Sequence, residues 1–276
     1  MDLPTVEAMV PGDEADWRPG DCWLAGGTVL FSRPQQGVRR LRDLTVLGWP
    51  SLAAADDEGR PGLDIAATCT VATLARYRPP ARWPDLAVAI RRCCDAFLAS
   101  WKIWNVATVG GNLCAALPAG PMISLAAAFD ARCDVRRLSG ERRLVPVDAF
   151  VVEPGVAALQ PGEYLHAIHL PERELTGRIA VRRASLHPLG RSAAFVTGHL
   201  DVESGRLRLT VTAATPRPVT VSVPAPTAAA SLVDMVDAQV SAEGWHDDVH
   251  GLPAWRRHMT LRLVEQVRAD LLGAAR

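Results

Sequence analysis

The 276-residue sequence holds one lysine, Lys102, two tyrosines and no apolar run long enough to span a bilayer. Its 30 basic and 30 acidic residues cancel to a formal net charge of zero, so it lacks the excess positive field on which binding to nucleic acid or anionic membrane depends. With a single lysine there is no phosphate loop ending in Gly-Lys-Ser/Thr, and no segment follows the dinucleotide pattern G-x-G-x-x-G. The six cysteines, Cys22, Cys69, Cys93, Cys94, Cys114 and Cys133, are scattered without paired spacing, which argues against a disulfide framework or a zinc site. Nor do they form the closely spaced set that an iron–sulfur cluster needs, so any such cluster belongs to another chain. Histidine is missing before His166, and His166 and His169 fall on opposite faces of one extended segment, where they cannot chelate one metal. His187 and His199 have no carboxylate or cysteine context, so hydrolytic triads have no footing. The opening Met1-Asp2-Leu3-Pro4 is acidic where a secretory signal is basic, and the expectation is a cytoplasmic protein.

What is present is a globular composition, 49% hydrophobic and 22% charged, in a chain long enough for two packed domains. Cys22-Trp23-Leu24-Ala25 is a short apolar run that stops at Gly26-Gly27. Leu63-Asp64-Ile65-Ala66 alternates like a half-buried strand, and Thr68 to Thr70 can cap a short helix through Val71, Leu74 and Ala75. Pro84-Asp85 opens a helix whose stripe is Leu86, Ile90, Cys93 and Phe97. Pro121 suits a first helical position. A strand pair around Cys133–Val135 and Leu144–Val147 turns at Ser139-Gly140, and Glu163 to Pro171 closes the first region as a strand. Ala194–Leu200 and Leu207–Thr212 then alternate as a hairpin of a second domain. The stretch with Pro216, Pro218, Pro224 and Pro226 reads as a connecting loop, followed by two helices. The last carries Trp255, Met259, Leu263, Val267 and Leu271 on its core stripe, with Arg256, Arg257 and Arg262 on other faces.

Two glycine pairs carry the chemistry. In Leu24-Ala25-Gly26-Gly27-Thr28-Val29-Leu30, glycine lets the backbone turn tightly with consecutive amides in one concavity, where a phosphate meets no side chain. Alone, such a pair is more often a plain turn. Asn105-Val106-Ala107-Thr108-Val109-Gly110-Gly111-Asn112-Leu113 repeats the chemistry about eighty residues later, with Thr108 and Asn112 adding side-chain hydrogen bonding. Two such loops can embrace one pyrophosphate.

Together these segments resemble the FAD-contacting loops of the flavoprotein subunits of xanthine dehydrogenase and carbon monoxide dehydrogenase, the second loop being the more specific. The resemblance continues through Arg143-Leu144-Val145-Pro146-Val147, Pro161-Gly162-Glu163-Tyr164-Leu165 and Leu170-Pro171, covering most of residues 20 to 200. It implies an α+β fold of the vanillyl-alcohol-oxidase type (PCMH-type). The FAD-binding domain would be residues 1–174, with subdomains of roughly 1–55 and 56–174. A C-terminal domain, 175–276, would add a small three-stranded antiparallel sheet and helices. Carried over by position, the cofactor-binding residues are Ala25, Gly26, Gly27, Thr28 and Val29, then Thr108, Gly110, Gly111 and Asn112, with Leu165 against the cofactor and Arg182 as a cation near the flavin ring. A solvated strand charge is an equal alternative for Arg182. The sequence has Pro121 where the family more often has a ribose-binding aspartate, leaving Ser124 or a backbone group to substitute, and Trp104 where arginine is frequent. The Trp104 indole either stacks on a ring or, as tryptophan more commonly does, fills core. Without histidine in either loop, the flavin is not tethered through one.

The function implied is electron transfer. Substrate is hydroxylated at molybdopterin in a large partner subunit, electrons cross 2Fe-2S clusters in a small partner subunit, and FAD in this chain passes them to an acceptor. A stand-alone flavin oxidase or reductase on the same fold, and a scaffold subunit that has lost FAD, are the alternatives. The first needs catalytic side chains of its own, of which the sequence shows none.

Overall fold

Short strands separated by glycine and proline turns build the N-terminal unit. In the computed structural model, which describes residues 3–273 apart from 15, 57, 58 and 60, β1 (Ala8–Pro11), β2 (Asp21–Leu24) and β3 (Arg40–Asp43) form a parallel sheet in the order β1-β3-β2. Met1 and Asp2 of the acidic opening lie outside the described residues. A charged cluster holds this small sheet where apolar area is scarce. Asp21 accepts from Arg40 Nε at 2.7 Å and from Arg42 Nη1 at 2.9 Å, and the buried Arg42 also reaches the backbone carbonyls of Asp16 and Glu14.

The next unit is a five-stranded antiparallel sheet, β4 (Leu52–Asp56), β5 (Pro61–Ala66), β6 (Arg132–Arg137), β7 (Arg142–Pro146) and β10 (Glu163–Pro171), in the order β4-β5-β10-β6-β7. Its helices are α1 (Val71–Arg76), α2 (Leu86–Ala96), α3 (Trp101–Trp104), α4 (Val109–Cys114), α5 (Pro121–Ala128) and α6 (Val147–Phe150). A two-stranded ribbon of β8 (Val151–Glu153) and β9 (Val156–Ala157) follows, and α7 (Glu172–Leu175) ends the unit. The caps follow the sequence: Thr70 Oγ1 accepts from Thr73 N before α1, and Pro121 is the first residue of α5, where its missing N–H costs nothing. The two sheets meet across rings, Trp23 on Tyr164 at 4.9 Å and Trp49 stacked on Tyr164 at 5.9 Å, with Trp17 packed on Trp23 at 5.1 Å within the first unit.

The C-terminal unit is a four-stranded antiparallel sheet, β11 (Arg178–Ala184), β12 (Ala194–Asp201), β13 (Arg206–Thr212) and β14 (Val219–Pro224), covered by α8 (Ala229–Glu243) and α9 (Pro253–Leu272). Two expectations are corrected here. The sheet has four strands, because the segment read as a proline-broken loop contributes β14: its prolines bracket an alternating Val219, Val221, Val223, and an edge strand tolerates proline at its ends. Arg256, placed on an outer face of the last helix, is 1% exposed. It is paid for by partners, donating to the carbonyls of Gly251, Ala193 and Ala213 and pairing with Asp248. The C-terminal unit has its own apolar cluster, while Ile179, Phe195 and Ala213 join the larger one around β5, β10, α2 and α5.

Candidate functional site

The two glycine loops meet. A side chain on Gly26 would collide with the Val106 carbonyl oxygen just ahead of the second loop, and a Cβ on Gly110 would lie 2.6 Å from Ala67 Cα, so glycine is needed at both positions for close approach. Gly27 adds a left-handed φ of 68°. Between the loops opens a cavity of about 730 Å³, within the range that takes cofactor-sized ligands. Ala25, Gly26, Gly27, Thr28, Val29, Thr108, Gly110, Gly111, Asn112 and Leu165 all line it, so ten of the eleven residues expected from the sequence are brought together.

Their amides differ. From Ala25 to Leu30 no backbone N–H donates to any described residue, and the loop is closed instead by Phe31 N on the Gly27 carbonyl at 2.8 Å and Ser32 N on the Val29 carbonyl at 3.1 Å. Consecutive free amides of this kind form an anion-binding concavity. In the second loop Gly110 N already donates to the Ala67 carbonyl at 3.0 Å, Gly111 N to Thr108 Oγ1 at 3.0 Å and Asn112 N to the Thr108 carbonyl at 3.0 Å. The expectation that the Gly110 and Gly111 amides hold phosphate is therefore corrected: both are bonded within the protein, Gly110 is needed for docking on Ala67, and the donor left free is Thr108 N. Asn112 Oδ1 accepts from Met122 N at 3.0 Å and so fixes the start of α5, leaving Asn112 Nδ2 without a protein partner.

The lining has no carboxylate, histidine or lysine among the described residues. Its thiols and phenol are neutral, since burial pushes Cys114 up to about 12 and raises Cys22 and Tyr164. A partly apolar cavity without negative charge, with free amides and two arginines, Arg33 and Arg191, suits a bulky anion and offers no general base.

Arg182 is not part of it. Its guanidinium makes a double hydrogen bond to Asp270 on α9, at 2.7 and 2.9 Å, on a half-exposed strand face. The sequence gives no sign of this pairing, because an arginine pair on a strand does not tell which residue turns inward. Ser124, offered as a ribose partner in place of the missing aspartate, is also withdrawn: it is buried and bonded to Thr212 Oγ1 at 2.6 Å. Pro121 lines the cavity. Trp104 packs on the core and donates to the Phe97 carbonyl at 3.0 Å, which supports its core role. Arg33, Arg191 and Leu98 also line the cavity, and the sequence gives no signal for them, since each sits in a segment with no periodicity or motif.

The family model described as FAD binding domain in molybdopterin dehydrogenase matches residues 12–173. The xanthine dehydrogenase FAD-binding subunit of Escherichia coli O157:H7 is 27% identical over 185 residues, 64% of this chain and 63% of that protein, so the likeness spans less than two thirds of the relative. The 6-hydroxypseudooxynicotine dehydrogenase complex subunit alpha of Paenarthrobacter nicotinovorans is 29% identical over 120 residues, 42% of this chain and 40% of that protein. Among solved structures, a chain of reconstituted CO dehydrogenase from Oligotropha carboxidovorans superposes with a TM-score of 0.76 at 19% identity over 100% of both chains. A chain of quinoline 2-oxidoreductase from Pseudomonas putida 86 gives 0.74 at 18% identity, covering 100% of this chain and 99% of that one. At these identities the superpositions establish a common fold.

Proposed function

The chain belongs to the family of FAD binding domains in molybdopterin dehydrogenase, and from that premise we propose that it is the electron-transfer subunit of a heteromeric molybdenum hydroxylase, working in the cytoplasm. The partners in this reading are a large molybdopterin-binding subunit and a small 2Fe-2S subunit. The observation that carries it is the cavity between the two loops, with the unbonded amides of Ala25 to Leu30 along one wall. Those donors match a pyrophosphate, and no carboxylate in the lining opposes one.

We assign the pyrophosphate to Ala25, Gly26, Gly27, Thr28 and Val29, with Thr108 N and Asn112 Nδ2 as the donors of the second loop. Leu165, buried on β10, supplies apolar surface, and Pro121 at the start of α5 adds more. The ribose then rests on backbone and apolar contact instead of a carboxylate. FAD, when bound, supplies the redox chemistry, taking up electrons and passing them on to an acceptor. The chain's own residues orient it and wall it off from solvent. They move no proton, since the lining has no carboxylate, histidine or lysine and its thiols and phenol stay neutral. The same lining weighs against a stand-alone oxidase, which needs a base for its own substrate. The PCMH-type assignment, with domains at 1–174 and 175–276, is part of this reading; the sheets at residues 8–43 and 52–171, with the cavity beside their junction, support it.

Purification from the native source tests the proposal. The expected preparation is yellow, releases FAD on denaturation and carries two further subunits with molybdenum and iron. Colourless protein that cannot be loaded with FAD overturns it, and a lone chain with full turnover overturns the subunit assignment.

A further inference from the structure

The guanidinium groups of the two cavity arginines, Arg33 and Arg191, have no hydrogen bond or ion pair to any described residue. The fold places them at different parts of the site. Arg33 follows directly on the helical turn that closes the first glycine loop, beside the free amides. Arg191 comes from the segment between β11 and β12, in the C-terminal unit and outside residues 12–173 that the family model matches. At the start of β11, Ile179 N donates to Asp85 Oδ2 at 2.8 Å, just ahead of α2, and strand and helix are in contact. The loop after β11 and the end of α2 share the cavity: Arg191 lines it together with Ala96, Phe97 and Leu98, an apolar stretch of its wall.

FAD carries negative charge in two places, on its pyrophosphate always and on its ring only when reduced and deprotonated. The free amides and Arg33 answer the first. An apolar wall beside an unpaired guanidinium answers the second, because apolar side chains suit a flat ring and a fixed cation favours the form of that ring that bears charge. Resting on the FAD reading above, we infer that Arg191 is the cation that stabilises the reduced, anionic flavin ring, the role the sequence had implied for Arg182.

The loop is built to hold that charge in place. Arg183 reaches back to the carbonyls of Gly190 at 3.1 Å and Pro188 at 3.2 Å, Ser185 Oγ donates to the His187 carbonyl at 2.6 Å, and the buried Arg256 holds the Ala193 carbonyl at 2.6 Å. Arg191 thus sits between two anchored backbone positions, while its own guanidinium is uncompensated. Arg182 is already neutralised by Asp270.

The test is the midpoint potential of the FAD-loaded protein, measured by reductive titration against a reference dye, together with the dissociation constant for oxidised FAD. Arg191→Gln is expected to weaken binding of reduced relative to oxidised flavin about tenfold, which for a two-electron couple is a fall of about 30 mV. Binding of oxidised FAD should stay within threefold of wild type. Arg191→Lys should recover most of the shift, and Arg182→Gln should leave the potential in place. An unchanged potential in Arg191→Gln overturns the inference, as does a variant that sheds oxidised FAD with its potential intact, since that would make Arg191 a phosphate ligand. Wild-type protein that takes up no FAD is a different result: it brings down the cofactor reading itself.

Discussion

In the loop at residues 25–30 a run of amides is left without partners, and the chain holds its shape by bonds at the far side of the turn. In the loop at 108–112 the amides of Gly110, Gly111 and Asn112 are bonded within the protein, and glycine is there so that a helix end can pack onto Ala67. Both loops line one cavity and both read Gly-Gly. Gly26 and Gly110 both admit a neighbour, so the contrast lies in the amides: a glycine pair can leave its donors exposed or have them bonded within the protein, and a family-like motif does not say which is in force. The loop with the more distinctive sequence is here the more structural of the two.

Substitution separates the two loops. Gly26→Ala should have the largest effect, because its side chain cannot be placed without parting the loops at Val106. A cost of about 3 kcal/mol, at the upper end for overpacking, is expected. Flavin retention should be lost as well, and both are read from thermal unfolding and from the visible spectrum after desalting. Gly110→Ala comes next, at about 2 kcal/mol from the clash with Ala67. The part that folds should bind FAD within threefold of wild type. Equal losses of affinity in the two variants would erase the distinction drawn between the loops.

The third effect is invisible at neutral pH. The Arg40 guanidinium hydrogen-bonded to Asp21 holds that carboxyl well below the usual carboxylate range, with Arg18 N and Arg42 adding to the effect. A group whose folded value is depressed adds stability that is present above its unfolded value, about 3.9, and is lost as pH falls towards the folded one. The sheet that bears the first loop should therefore loosen below about pH 4, and the five-stranded sheet behind the second loop should weaken over the same window, because Asp134, despite burial that raises it, is held well below the usual carboxylate range by His166, Arg136 and Arg142. Release of FAD together with global unfolding in an acid titration is the expected sequence; FAD released well ahead of unfolding would show that the first loop alone carries the acid-sensitive pair.

Much of the fold was legible where periodicity or capping chemistry was strong. The stripe Leu86, Ile90, Cys93 predicts α2, Thr70 predicts the start of α1, and the apolar run Glu163 to Pro171 is β10. β14 was hidden because its flanking prolines announce a loop, although Val219, Val221 and Val223 alternate between them. Arg256 was hidden because burial of a guanidinium depends on carbonyls supplied by Ala193 and Ala213, far away in sequence. The same limit applied at the site. Gly26, Gly27 and Thr108 stand in recognisable loops, whereas Arg191 comes to the cavity from the segment between β11 and β12, and Arg182 is drawn off by Asp270, 88 residues on.

The rings that join the first two sheets have an optical consequence. Trp23 lines the cavity and lies within 5.1 Å of Trp17 and 4.9 Å of Tyr164, which in turn stacks on Trp49. Tryptophan emits where oxidised flavin absorbs, so a flavin seated in this cavity drains the excitation of the whole group. The coupling of Trp23 with Tyr164 also gives a near-ultraviolet circular dichroism contribution that survives only while the two sheets stay docked. The protein thus carries an internal gauge with two channels, emission reporting loading and dichroism reporting the junction, and neither requires a label or a turnover.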